Sequence, residues 1–116
     1  MEVEREVVFP SSPEEVWEAL TEPERLEEWF ANDVELDPRE GGDGVFRWDD
    51  GEERHATVRE ADAPRKIVLD WDDDGTTAIE LEEVEGGTRV HVVETAPGFA
   101  TALELHALAS AWTLAA

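Results

Sequence analysis

The sequence predicts an α+β domain in which one strand, two short helices and about six antiparallel strands are followed by one long helix. Three observations carry this prediction. Two helical segments that open with proline follow the first strand, a series of alternating segments with turn-rich breaks comes next, and an Ala- and Leu-rich tail closes the chain. The length of 116 residues fits a single domain over 1–116.

The first strand and the first helix are marked by local signals. Residues 3–9 alternate in the pattern of a strand. Ser12 is a favoured N-cap, Pro13 suits the first helical position, and Glu15 completes a capping box three residues after the cap. A helix is therefore predicted to begin at Pro13.

A second helix start follows directly. Thr21 or Glu22 is the candidate cap, and Pro23 suits the first helical position. The Gly-Gly pair at 41–42 is expected to let the chain turn tightly into the sheet. The apolar residues at helical spacing in this segment are Leu26, Trp29 and Phe30.

The middle of the chain reads as an antiparallel meander, because short alternating segments are separated by breaks rich in Gly, Pro and Asp. One face of the predicted sheet is apolar and the other is charged. The candidate strands are 32–37, 44–49, 53–60, 66–72, 76–84 and 88–95. The residues predicted to share the apolar face include Phe46, Trp48, Ile67, Leu69, Trp71, Ile79 and Leu81.

The tail from Pro97 onward is predicted to form one long helix, since it has no Gly or Pro after residue 98. A twisted sheet with one apolar face needs a cover, and this is the only predicted element long enough to supply one. Small residues on the covering helix would leave a cavity between helix and sheet. The candidates for that role are Ala102, Ala109 and Ala111.

The charge of the chain excludes several classes of partner. Thirty-one acidic residues against nine basic ones give a formal charge of −22. Nucleic acid and anionic membrane surfaces are therefore not expected as partners, because both require clustered Lys and Arg. Without a long apolar run or a signal-peptide pattern, a cytoplasmic protein is expected. The acidic excess fits either a salt-rich cytoplasm or a genome that replaces Lys with Arg, in a bacterium or an archaeon.

Cofactor and metal motifs are missing from the sequence. There is no cysteine, and the histidines His55, His91 and His106 lack the spacing of a zinc site. The acidic run at 72–75 lacks the alternating ligands of a calcium loop and reads as a hairpin turn. No metal and no cofactor are predicted.

Several stretches together resemble a known family. They are "PSSPEEVWEALTEPERLEEWF" at 10–30, "GG" at 41–42, "ATVREADAPRKIVLDW" at 56–71, "GGTRVHVVETAPGF" at 86–99, and the final helix with His106 and Trp112. In this order they resemble the activator-of-heat-shock-protein-ATPase-like branch of the START/Bet v 1-like (SRPBCC) superfamily. The resemblance implies a helix-grip fold, in which a curved sheet of about six or seven strands surrounds the long C-terminal helix over an apolar cavity.

The resemblance also implies a function, because members of the superfamily bind lipids, hormones, polyketides and aromatic metabolites. We therefore expect a domain that binds a small hydrophobic ligand, aromatic or lipid-like. The aromatic and aliphatic residues can instead be ordinary core, which is the reading favoured for Trp17. The candidate ligand-binding residues are Trp29, Phe30, Phe46, Trp48, Leu69, Trp71, Leu81, Phe99, Leu105 and Trp112.

Two alternatives stay open at the level of sequence. The first is an enzyme acting in the same cavity, with Glu94 and His106 as weak candidates for acid–base groups. By alternation Glu94 continues the face of Val90 and Val92, although it can also reach solvent at the end of its strand. The second alternative is an interaction module for a chaperone or regulator. The ligand and the oligomeric state, a homodimer included, are not fixed by the sequence.

Overall fold

The computed structural model describes residues 2–72 and 75–95, apart from the side chain of Trp29. The predicted long helix, with Phe99, Leu105, His106 and Trp112, lies outside the described residues. The predicted succession of one strand, two helices and six strands is confirmed. The elements are β1 (Val3–Phe9), α1 (Pro13–Thr21), α2 (Pro23–Trp29), β2 (Asp33–Leu36), β3 (Asp43–Arg47), β4 (Glu53–Asp62), β5 (Lys66–Trp71), β6 (Thr76–Val84) and β7 (Gly87–Glu94).

The strands form one seven-stranded sheet in the order β1-β7-β6-β5-β4-β3-β2. Every neighbouring pair is antiparallel, so β2 to β7 make a meander and β1 returns to pair with β7, where Val7 lies opposite Val90. The pairing of β4 with β5 shifts between Val58 and Glu60, which marks a β-bulge. No helix in the described part of the chain is long and apolar enough to cross a membrane.

The two helices begin where the prolines predict. The Ser12 hydroxyl accepts a hydrogen bond from the Glu15 amide at 3.3 Å, as an N-cap does. Helix α2 has Glu22 at its N-cap without a side-chain hydrogen bond. The alternative that Thr21 caps α2 is wrong, because its hydroxyl donates to the Trp17 carbonyl within α1 at 2.7 Å.

The glycine pair between β2 and β3 lies too close to the neighbouring backbone for a residue with a side chain. A side chain at Gly42 would place its Cβ 2.2 Å from the Asp37 carbonyl oxygen, and Gly41 has a φ of 86°. The loop is bound to β4 through Val58, whose carbonyl accepts from the Gly41 amide and whose amide donates to the Gly42 carbonyl, both at 2.8 Å. The tight turn expected at 41–42 is confirmed, and it holds the start of β3 against the bulge.

Burial separates the two faces of the sheet. We call the face that carries the core the inner face and the opposite one the outer face. Helix α1 packs near β6 and β7, and α2 packs near β2, so both helices contribute to the same core. The buried apolar residues of the inner face are Val34, Phe46, Ala56, Val58, Ile67, Leu69, Trp71, Ile79, Leu81, Val90 and Val92.

The outer face is built from paired charges. Arg47 contacts Asp33, Glu35 and Glu53, each at 2.9 Å. Other basic side chains also lie beside carboxylates: Arg59 with Asp70, Lys66 with Glu60 and Arg89 with Glu82. The rings of His55 and His91 contact Glu53 and Glu4. These pairs are solvent-exposed or half-exposed, so each contributes little to stability on its own.

Candidate functional site

Aromatic rings form a continuous cluster at one end of the inner face. The ring centroids of Phe30 and Trp48 are 5.4 Å apart, those of Phe30 and Phe46 are 5.5 Å apart, and those of Phe46 and Trp71 are 5.2 Å apart. The first two contacts are edge-to-face, an arrangement that aromatic quadrupoles favour. The cluster joins the end of α2 to β3 and β5. Three of its four rings, those of Phe30, Phe46 and Trp71, are buried.

Trp48 follows β3 and is only partly buried against the core. Its indole N–H donates to the Phe30 carbonyl at the C-cap of α2, at 2.7 Å. This bond supplies a side-chain donor to a carbonyl at the end of the helix. Trp48 therefore ties α2 to the sheet through its nitrogen and to the aromatic cluster through its ring.

A line of buried polar side chains crosses the inner face beside the cluster. The Trp71 indole N–H donates to the Thr77 hydroxyl oxygen at 2.8 Å, and the Thr77 hydroxyl donates to Glu94 Oε2 at 2.6 Å. Thr77 and Glu94 are both 0% exposed, and Trp71 is 4% exposed. We call these three residues the Trp71–Thr77–Glu94 chain. Its members come from β5, β6 and β7, three neighbouring strands of the sheet.

A cation also lies on this face. Arg54 is two residues before Ala56 on β4, so alternation places it on the inner side, opposite Phe46. The carbon at the centre of its guanidinium is 4.1 Å from the centroid of the Trp71 ring, a cation–π contact. Trp71 therefore contacts a cation through its ring and begins the polar chain through its nitrogen.

Comparison with known proteins places the chain in a family. Residues 10–115 match the family of the Activator of Hsp90 ATPase homolog 1-like protein, AHSA1. The chain belongs to this family. The resemblance predicted from the sequence is thus confirmed, and the AHSA1-like fold is of the START/Bet v 1-like type.

Solved structures share the fold at low sequence identity. A Mesorhizobium loti protein is 19% identical with a TM-score of 0.76, and the match covers 97% of this chain and 90% of that one. A Bacillus halodurans protein is 28% identical with a TM-score of 0.72, over 83% of this chain and 69% of that one. An Aha1 dimer from Colwellia psychrerythraea is 18% identical with a TM-score of 0.75, over 99% and 92%. Comparison with curated protein sequences finds no significant match.

The structure places four of the ten predicted ligand-binding residues of this AHSA1-like chain on the inner face and a fifth beside it. Phe46, Leu69, Trp71 and Leu81 are buried on the inner face, and Phe30 is buried at the end of α2. The predicted site residues beyond these are the half-buried Trp48, then Trp29, whose side chain is not described, and Phe99, Leu105, His106 and Trp112 outside the described residues. Their role in binding stays a prediction.

The burial of Glu94 and of Trp17 can be compared with the sequence predictions. Glu94 is fully buried on the inner face, as alternation predicts, so the alternative that it reaches solvent at the end of its strand is wrong. Trp17 is partly buried and packs against the core cluster, in keeping with the core reading.

Sequence reasoning missed Thr77 and Arg54. Thr77 lies two positions before Ile79, and Arg54 lies two positions before Ala56. Residues two positions apart in a strand share a face, and Ile79 and Ala56 were already predicted to face inward. The periodicity could therefore have placed them on the inner face. Their polar nature excluded them from a search for apolar faces.

Two surface grooves of the described residues do not suit an apolar ligand. One, of about 440 Å³, lies on the outer face. The other, of about 460 Å³, lies between the start of α1 and the β6–β7 turn. Charged and polar side chains line the first, including Glu6, Arg65, Lys66, Glu80, Arg89 and His91. Within residues 2–72 and 75–95, no group of three acidic or histidine side chains could hold a metal ion.

Charges on the outer face shift each other's titration. Hydrogen bonds from Arg47 to Glu35, Glu53 and Asp33 raise the pKa of its guanidinium. Hydrogen bonds from His55 and then from Arg47 lower the pKa of the Glu53 carboxyl. The hydrogen bond from Arg39 lowers the pKa of Asp37 in the same way. These groups are at the surface, so the shifts adjust the local charge there.

Proposed function

We propose that the inner face binds one small apolar ligand, aromatic or lipid-like, in a single domain over 1–116. The ligand would lie between the sheet and the long C-terminal helix predicted from the sequence. The observation that carries the proposal is the Trp71–Thr77–Glu94 chain within an otherwise apolar, aromatic-lined face. Small-molecule sites in proteins are typically apolar surfaces with a few placed polar groups.

The stability of the fold does not by itself explain why these polar side chains are buried. Burying a carboxyl group costs free energy that hydrogen bonds offset only in part, and apolar residues of similar volume would serve a core as well or better. Polar groups that are retained in a core at the expense of stability are frequent at functional sites. Glu94 and Thr77 are fully buried, and this supports a role beyond packing.

The charge distribution supports a neutral or cationic ligand. The chain carries a formal charge of −22, so a negative potential surrounds any entrance and disfavours a ligand carboxylate. The helices that pack against the sheet carry much of this charge. Exposed glutamates of this region are Glu14, Glu15, Glu18, Glu22, Glu24, Glu27 and Glu28.

Isothermal titration calorimetry with naphthalene and 2-naphthoate tests the proposal. We expect naphthalene to bind and 2-naphthoate to bind at least about tenfold more weakly, because of the charge. Native mass spectrometry of freshly purified protein should also show a co-purified apolar compound. The proposal fails if neither naphthalene nor any co-purified compound is bound.

A pair of variants locates the site. Ala109→Trp should fill the space beneath the predicted helix and weaken naphthalene binding, while the fold is retained. Val8→Trp is the matched control, because Val8 is 54% exposed and lies on the outer side of β1. Equal binding by the two variants and the wild type would place the ligand elsewhere.

The other two functions have less support. An enzyme would need a proton-transfer partner for Glu94, and His106, the predicted partner, lies outside the described residues. A homodimer, as in the Colwellia relative, stays a prediction for this chain. Light scattering behind size-exclusion chromatography, at low and at molar potassium chloride, would determine the oligomeric state.

A further inference from the structure

We propose that Trp48 controls the passage of ligands onto the inner face, because its indole ring lies between solvent and the buried rings of the aromatic cluster. The ring would turn away while a ligand enters or leaves and would return once the ligand is bound. This inference rests on the proposed function, since it assigns the entry route of the same site.

Of the four rings in the aromatic cluster, that of Trp48 is the one that meets solvent. Phe30, Phe46 and Trp71 are buried, whereas Trp48 is only partly buried. The Trp48 ring contacts the Phe30 ring, and the ring contacts continue from Phe30 to Phe46 and from Phe46 to Trp71. A ligand that displaces the Trp48 ring therefore meets the aromatic surface of the inner face directly.

The backbone of Trp48 is held independently of its ring. Its amide donates to the Glu52 carbonyl at 2.9 Å, and its carbonyl accepts from the Gly51 amide at 3.0 Å, so both groups close the turn between β3 and β4. The indole N–H donates to the Phe30 carbonyl at 2.7 Å. An indole has a single N–H donor and no acceptor. Rotation of the side chain thus breaks one hydrogen bond and leaves the strand pairing intact.

The turn that carries Trp48 has a second tie to the end of α2. Residues 49–52 are exposed, and the Asp49 amide donates to Asn32 Oδ1 at 2.9 Å. Asn32 lies between α2 and β2. The bonds of Trp48 and Asp49 together hold the ring against the end of α2. Both lie near solvent, so water can replace them while the ring is displaced.

Passage beside a fully buried ring would cost more free energy. Turning Phe46 or Trp71 outward would expose a whole aromatic side chain to water. For Trp71 it would also break the hydrogen bond to the buried Thr77 hydroxyl. Trp48 already exposes part of its surface, so its displacement exposes less additional apolar area. This difference favours entry beside Trp48.

Trp48→Phe tests the inference through the rates of ligand binding. The probe is N-phenyl-1-naphthylamine, a neutral aromatic compound whose fluorescence increases in apolar surroundings, mixed with the protein in a stopped-flow instrument. The indole hydrogen bond opposes entry and exit alike, because it re-forms once the ligand is bound. Its loss should raise the association and dissociation rates by a similar factor of about three to ten, and the Kd should change by less than about twofold.

Trp17→Phe is the matched control. Trp17 is also partly buried, but it lies on α1 outside the aromatic cluster. Both rates should stay at the wild-type values in this variant. If Trp48→Phe changes the Kd through the dissociation rate alone, Trp48 is a wall of the site and the inference is overturned. Wild-type rates in Trp48→Phe overturn it as well.

Asn32→Ala is a second variant, which decides the matter if Trp48→Phe does not fold. It removes the oxygen that accepts from the Asp49 amide and keeps the Trp48 ring. Both rates should rise together by about twofold to threefold, and unchanged rates would count against the inference. All these outcomes leave the proposed function standing. Failure of both the probe and naphthalene to bind would overturn the proposed function together with this inference.

Discussion

On the outer face of the sheet, Arg47 contacts three carboxylates while its side chain stays 40% exposed. On the inner face, Glu94 is 0% exposed and accepts a hydrogen bond from the equally buried Thr77. The outer groups are stabilised mainly by water and by each other. The inner groups depend on fixed partners in the protein interior, where no solvent can replace a lost bond.

This difference predicts how each face responds to change. Exposed ion pairs are screened by salt and change with pH, and each contributes little to the stability of the fold. Each buried contact contributes more to the free energy of unfolding, and its contribution is nearly independent of salt. Variants of the inner face should therefore lower stability by similar amounts at all salt concentrations, whereas the outer face should govern how stability varies with salt and pH.

The largest effect is expected for Phe46→Ala. Phe46 is 1% exposed and contacts the rings of Phe30 and Trp71. Its truncation should lower the free energy of unfolding by about 3–5 kcal/mol, measured by urea denaturation. Val8→Ala at an exposed position is the control and should change it by less than about 0.5 kcal/mol. Similar losses in both variants would mean that the inner face is not tightly packed.

Thr77→Val should have an intermediate effect. The change keeps the shape of the side chain but leaves Trp71 Nε1 and Glu94 Oε2 without the hydroxyl between them. A loss of about 1–3 kcal/mol is expected, equal at low and at molar salt. Thr57→Val, at an exposed position on the outer side of β4, should have little effect. A gain in stability from Thr77→Val would show that the Trp71–Thr77–Glu94 chain destabilises the fold even with its hydrogen bonds formed.

Salt should stabilise the wild-type protein. With a formal charge of −22, self-repulsion weakens the fold at low ionic strength, and potassium chloride screens it. The midpoint of thermal unfolding should therefore rise between low and molar potassium chloride. A flat response would exclude the interpretation of the acidic surface as a salt adaptation.

The smallest effect concerns pH. The pKa of Glu53 is lowered from an ordinary value of 4.5 by hydrogen bonds from His55 and Arg47. A lowered pKa in the folded state stabilises the protein above the ordinary value, and this contribution is lost as the pH falls through the lowered pKa. Glu53→Gln should therefore lose less stability than the wild type below about pH 4.5. Parallel acid-unfolding curves would contradict the assigned hydrogen bonds.

Local signals explain why much of the fold was predictable. The strand predicted over 76–84 coincides with β6, because its alternation is regular and turns flank it. The prolines gave the starts of both helices. The N-cap of α2 could not be assigned between Thr21 and Glu22 from the sequence, because the hydrogen bond from the Thr21 hydroxyl to the Trp17 carbonyl within α1 is visible only in the structure.

The polar chain depends on contacts that are distant in sequence. Alternation placed Glu94 on the inner face, but the bond from Thr77 joins residues 17 positions apart. It requires the register of β6 with β7, in which Thr77 lies directly opposite Glu94. Arg54 reaches Trp71 through the pairing of β4 with β5. Such registers are set by the whole sheet, so a pattern within one strand cannot supply them.

The most direct test of the inner face as a binding site is a titration of 2-naphthol followed by NMR of the indole N–H signals. The five tryptophans give five such signals, which single Trp→Phe variants can assign. A ligand on the inner face should shift the Trp71 signal most and leave the signal of Trp17, which lies on α1 outside the aromatic cluster, nearly unchanged. If Trp71 does not respond while backbone signals of the outer face do, the ligand does not bind where the account places it.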